Sequence, residues 1–94
     1  MAPEVREVIQ GFTTKLGAEM DRSGGHIYFY LEHGGSQYTV GKLSHSWTGD
    51  LNDTQVNMLA KKLFLRKREF EDFIGCELST EATINLWQQR RSGR

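Results

Sequence analysis

The sequence predicts an α+β fold: an α-β-β-β-α core with a three-stranded antiparallel sheet, helices on one face of it, and two short helices after the core. Two glycine pairs, Gly24-Gly25 and Gly34-Gly35, bracket the run His26 to Glu32. Glycine pairs supply the positive φ angles of tight hairpin turns, which makes this run the middle strand of a meander. Apolar residues before it and after it recur at helical spacing instead. The chain has 94 residues, enough for a single domain and too few for two. Its core is expected over residues 1–65, with a helical extension over 66–94.

In the N-terminal segment Val5, Val8, Ile9, Phe12 and Leu16 form one stripe of an amphipathic helix, with Pro3 near its start and Gly17 after its end. A first strand is expected from Ala18 to Arg22, with Ala18 and Met20 on one face and Glu19 and Asp21 on the other. In the central strand Ile27, Phe29 and Leu31 face a core, while His26, Tyr28, Tyr30 and Glu32 face away. The third strand, Gln37 to Leu43, is expected to turn Tyr38 and Val40 inward and to leave Gln37 and Thr39 beside His26.

The stretch Ser44 to Asp50 has no period and reads as a loop. Asn52 with Gln55 three residues on is a capping-box variant, and Leu51 faces Val56 as a hydrophobic staple. Val56, Leu59, Ala60 and Leu63 continue that helix. Arg66 to Ile74 reads as a second helix around Phe70, Phe73 and Ile74, and Ala82 to Gln89 as a last one around Ile84, Leu86 and Trp87. A sheet with so few partners cannot bury both faces. The His26 face is therefore expected to stay open.

Twelve basic and twelve acidic residues give a net charge of zero, distributed as about −3 over residues 1–60 and +3 over 61–94. That balance argues against tight non-specific binding to nucleic acid, which needs many phosphate contacts. Arg90, Arg91 and Arg94 are basic groups that could touch phosphate, or simply a solvated, frayed helix end. No apolar run approaches the roughly 18 residues of a membrane span, and acidic residues stand where a signal peptide would be basic, so a cytoplasmic protein without membrane contact is expected. The lone Cys76, beside Ile74 and Leu78, reads as a small buried hydrophobe. With three histidines and one cysteine at none of the short ligand spacings of zinc sites, no metal and no cofactor is expected.

Residues with chemistry to offer cluster around the central strand. His26 follows Gly24 and Gly25, where the backbone carries no side chains and a ligand can approach closely. A histidine beside tyrosine hydroxyls can move a proton at a ribose 2′-hydroxyl or a leaving oxygen; the plain alternative is a surface histidine at a strand end. Tyr28 and Tyr30 at i and i+2 make a stacking platform for unpaired bases, or a shield for the sheet. Glu19, Asp21 and Glu32 on the same face oppose RNA and suit a protein partner. His33 is expected in solvent at the hairpin turn. His45 and Trp47 lie in the loop before the capped helix, His45 near a helix N-terminus that favours phosphate and Trp47 as a plug over the core or an exposed contact.

Several of these residues stand in a recognisable arrangement. Leu16-Gly17 closes a first helix, a short strand follows, then Gly24-Gly25-His26, a hairpin, and a Ser44-His45…Gly49-Asp50-Leu51 loop before a helix ending Lys61-Lys62-Leu63. Over about residues 5 to 65 this resembles the HicA family of toxins from bacterial and archaeal toxin-antitoxin systems. The resemblance implies a double-stranded-RNA-binding-domain-like fold, cleavage of mRNA without a metal, and inhibition by a partner antitoxin. It places His26 at the family's catalytic histidine, although the family usually has Gly-Ser-His where this chain has Gly24-Gly25-His26. True double-stranded-RNA-binding domains carry a lysine cluster at the start of the final helix, where this chain has Asn52, Asp53 and Thr54. Three readings stay open: a ribonuclease, a non-catalytic RNA-binding module, and a protein-interaction or inhibitor domain.

Overall fold

The expected order of elements is found in a computed structural model, described over residues 3–92. Helix α1 (Val5–Gln10) runs into a π-helical turn (Gly11–Lys15); β1 (Glu19–Asp21), β2 (His26–His33) and β3 (Ser36–Ser44) follow, then α2 (Asp53–Lys62), α3 (Lys67–Ile74) and α4 (Thr80–Ser92). The sheet is antiparallel in the order β1-β2-β3. Gly34 and Gly35 turn the second hairpin at φ +60° and +83°. Gly24 and Gly25 do not adopt positive φ. The first turn is held instead by the Asp21 carboxylate, which accepts from the Ser23 amide at 2.9 Å and the Ser23 hydroxyl at 2.6 Å.

One interlock sets the sheet against the helices. The buried Phe12 ring stacks on Phe29 with centroids 4.6 Å apart, and Phe29 faces Gly41 on β3. A Cβ on Gly41 would lie 2.7 Å from the Phe12 ring, so only glycine fits there. Beside this contact the ladder slips: Phe29 pairs with Gly41 but Tyr30 pairs with Thr39, leaving Val40 as the extra residue of a β-bulge. Strict alternation after Tyr38 and Val40 would have turned Lys42 into the core. The bulge reverses the pattern, so that Val40, Gly41 and Leu43 are buried while Lys42 is exposed opposite Tyr28.

Asn52 caps α2 as expected: its side chain accepts from the Gln55 amide at 2.8 Å, and Gln55 returns an acceptor to the Asn52 amide. At the other end the Leu65 amide donates to Ala60 O and the Phe64 amide to Lys61 O, with Phe64 left-handed at φ +58°. This is a Schellman ending, and it buries Leu63 and Leu65 on either side of the turn. Helix α3 ends the same way, with Cys76 in the left-handed position at φ +69° and Glu77 donating to Asp72 O. Cys76 is exposed, not buried. The expectation failed because α3 ends at Gly75 and Cys76 lies beyond it in the left-handed turn, off the buried stripe of Phe70 and Phe73.

The last two helices complete the core. Phe70 and Phe73 join Phe12, Phe29 and Trp87 in one hydrophobic cluster with residues of α1, α2 and the sheet. Helix α4 is longer than expected at both ends and packs on the β2-β3 hairpin, where the Trp87 ring meets His33 and Tyr38 edge-on at 5.7 and 5.2 Å. The Gln88 amide donates to His33 Nε2, so His33 is half-buried rather than solvated. Nor do the arginines of α4 fray. Arg90 makes a two-pronged pair with Glu69 at 2.7 and 2.9 Å and donates to Phe64 O, and Arg91 stacks on Tyr38 and Trp87. Arg94 lies outside the described residues. Among the described residues no helix is long and apolar enough to cross a membrane.

Two expectations follow for stability. Gly41→Ala should cost about 1–3 kcal/mol by overpacking the Phe12 ring, lowering Tm by more than about 4 °C; an unchanged melting curve would refute the interlock. The Arg90 guanidinium, with help from the Arg66 amide and against the opposing effect of burial, holds Glu69 down to about 2 from an ordinary value of 4.5. Its stabilising contribution is therefore complete above pH 4.5 and lost as pH falls through about 2. Glu69→Gln should remove about 2 kcal/mol at pH 7 and flatten the stability-pH curve in that window. Parallel curves for the two proteins would contradict the pairing.

Candidate functional site

The open face of the sheet is built by β2. Starting the strand at His26 places His26, Tyr28, Tyr30 and Glu32 outward while Ile27, Phe29 and Leu31 are buried. The aromatic rings form a continuous row: His26 to Tyr28 at 6.2 Å, then Tyr28 to Tyr30 at 6.2 Å with planes only 19° apart. Across the ladder, Ser44 stands opposite His26, Lys42 opposite Tyr28, and Thr39 opposite Tyr30. Lys42 Nζ lies 5.9 Å from the Tyr28 ring centroid. On the β1 side Asp21 and Glu19 flank Tyr28 and Tyr30. Asp21 is held below the ordinary carboxylate range by the Ser23 hydroxyl and then the Ser23 amide, so its charge is tied into the first turn.

The loop after β3 closes one end of this row. The Trp47 amide donates to Ser44 O at 3.1 Å, and the Ser44 and Ser46 hydroxyls are linked at 2.8 Å. His45 Nε2 donates across to Gly24 O at 3.3 Å, which ties the loop to the turn preceding His26. Farther on, Val5 donates to Gly49 O and Leu51 to Pro3 O, so the loop is also fastened to the start of α1. Thus pinned, Trp47 is half-buried against the core, and its outer side lines a cleft of about 130 Å³ with His26, Lys42, Ser44, Met58 and Lys62. Among the described residues Met58 is the one large hydrophobe left exposed, at 54%.

The distribution of free charge differs from the distribution of charge along the chain. Lys67 pairs with Asp53 and Glu71, Arg68 with Asp72, and Arg90 with Glu69. Lys15 donates to Phe73 O and sits over its ring. Among the described residues, neither Lys42 nor Lys62 makes an ion pair. Three cations of the C-terminal third, Lys67, Arg68 and Arg90, are thus tied to carboxylates, while Lys42 and Lys62, without ion pairs, border the His26 cleft.

The structure brings together His26, Tyr28, Tyr30 and Trp47, with Gly24 and Gly25 exposed at the rim and His45 bonded to Gly24. Beyond their chain neighbours, nothing lies within 4 Å of where a Cβ on Gly24 or Gly25 would stand, so the turn before His26 borders open space. Arg90 and Arg91 are not part of this site; they hold α4 against α3 and the hairpin. Lys42, Met58 and Lys62 are additions that the sequence reading missed. Gly41 inside a strand was the available signal for Lys42, since an interior glycine often marks a bulge. Nothing in the local sequence marks Met58 and Lys62, which reach the cleft because α2 packs beside β3. Among the described residues no three His, Cys, Asp or Glu side chains are grouped so as to hold a metal ion.

None of the row is needed for packing, so His26→Ala and Tyr28→Ala should each change unfolding free energy by less than about 1 kcal/mol; a loss several times larger would mean that the row is structural. Compared with protein-family models, with curated proteins and with solved structures, the chain finds no match in any of the three, and what the site can do rests on its own geometry.

Proposed function

We propose that the protein is an endoribonuclease that binds single-stranded RNA across the open sheet face and cuts it without a metal, the activity of the HicA-like toxins that residues 5–65 resemble. The observation that carries this reading is the convergence at His26: the imidazole ends a row of stackable rings and shares a cleft with two unpaired lysines. Unpaired bases stack on aromatic side chains whatever their sequence, and lysines beside the cleft attract the phosphates between them.

In the reaction His26 takes the proton of a ribose 2′-hydroxyl as that oxygen attacks the adjacent phosphorus. The phosphorus bond to the 5′-oxygen breaks, and the products are a 2′,3′-cyclic phosphate and a 5′-hydroxyl. The leaving oxygen takes its proton from water or from His45, the second imidazole at this end of the sheet. Lys42 and Lys62 offset the negative charge that builds on the phosphate oxygens. In a cell such an enzyme requires restraint, and the partner in this reading is a protein antitoxin.

A second reading is favoured by one observation: Glu19, Asp21 and Glu32 border the tyrosines, and a mixed tyrosine-acid surface suits a protein partner without catalysis. Purified protein incubated with single-stranded RNA in excess chelator separates the two. Cleavage that leaves cyclic phosphate ends, and that falls at least about 100-fold in His26→Ala, is expected of a general base. Intact RNA after incubation with the wild type, or equal cleavage by the variant, would overturn the ribonuclease reading.

A further inference from the structure

We infer that the cleft between β3, the Ser44–Trp47 turn and α2 is a nucleobase pocket, which receives one unpaired base of the RNA strand, the base whose ribose 2′-hydroxyl His26 deprotonates. The inference rests on the proposed RNA-cleaving function and adds to it a place where sequence can be read.

Four features favour a base over other occupants. The cleft, at about 130 Å³, is well below the roughly 300–1,000 Å³ of sites for drug-sized ligands, which suits a single flat group. Its apolar lining is Trp47 and Met58, an indole and a thioether, the side chains that contact aromatic rings most favourably. Its polar lining includes Lys42 and Lys62, without ion pairs among the described residues, which suits a group attached to phosphate. His26 belongs both to this cleft and to the ring row. A base in the cleft therefore sets its own ribose and phosphate at His26, while neighbouring bases continue over Tyr28 and Tyr30.

The larger hollow lined by residues of α1 and α3, about 420 Å³, makes the contrast. Glu7, Glu71, Asp72 and Glu77 line it with Arg68 as its one cation, and it would repel a phosphate. Exposure of Met58 has no packing reason in this fold, but it has one as a wall of a base pocket.

The test uses a short 5′-labelled strand with 2′-O-methyl riboses, which cannot be cut because no 2′-hydroxyl is present, and follows binding by fluorescence anisotropy. A set of strands each lacking one base is compared with the intact strand. In the wild type, removing the base at one position should weaken binding about tenfold, the size expected for loss of one stacked base. Trp47→Ala should bind intact and abasic strands equally, and Trp47→Phe should restore most of the difference. Met58→Glu, a surface change that leaves the core untouched, should also erase it, so the result does not depend on the stability of Trp47→Ala.

If every abasic strand binds as tightly as the intact one while His26-dependent cleavage persists, the pocket is wrong and the ribonuclease stands. If no strand binds and no RNA is cut, both fall, and the cleft is left to a protein side chain.

Discussion

The contact of Phe12 with Phe29 over the bare backbone of Gly41 governs the rest of the structure. It fixes the height of the first helical segment above the sheet, and it demands a position on β3 without a side chain. The bulge at Val40 supplies that position by slipping the ladder one residue, and in doing so it reverses which side chains of β3 face out. Lys42 reaches the open face for this reason. A core constraint thereby decides the charge beside the candidate catalytic histidine: a regular strand would have buried a lysine and exposed a leucine at Leu43.

The C-terminal helices act on the site from a distance in a comparable way. Their aromatic residues close the core, and their acids and bases pair with one another and with α2. Trp87 with Arg91 covers Tyr38 on the inner side of the hairpin, leaving the outer side free. What looks along the chain like a basic tail is a set of internal ties. Two of the lysines left without carboxylate partners among the described residues, Lys42 and Lys62, line the cleft, which gives a neutral protein positive charge there. In the proposed reading, phosphate attraction there depends on a few charges placed well, not on net charge.

Period and punctuation made much of this legible in the sequence. The alternation of Ile27, Phe29 and Leu31 with His26, Tyr28 and Tyr30 identified both faces of β2, and the Asn52-Gln55 pair located the start of α2. The failures share a cause: each depended on where a neighbouring element packs. Lys42 was missed because its outward position depends on a bulge beside the Phe12 contact. His33 was read as solvated, and the α4 arginines as phosphate contacts or a solvated helix end, because Trp87 and Glu69, which engage them, lie far off in sequence. Cys76 was read as buried from its apolar neighbours, whereas it occupies the left-handed position after the end of α3 and is exposed. Half of the site was thus readable from one strand, and the half contributed by α2 was not.

The account stands or falls on whether RNA uses this face and the cleft beside it. Backbone amide NMR of the full chain, titrated with a non-cleavable single-stranded oligoribonucleotide, tests it most directly. Shift changes should concentrate in three separated stretches, His26 to Tyr30, Lys42 to Trp47, and Met58 to Lys62, which only the folded site brings together. Changes confined to α3 and α4, or none at saturating RNA, would contradict it.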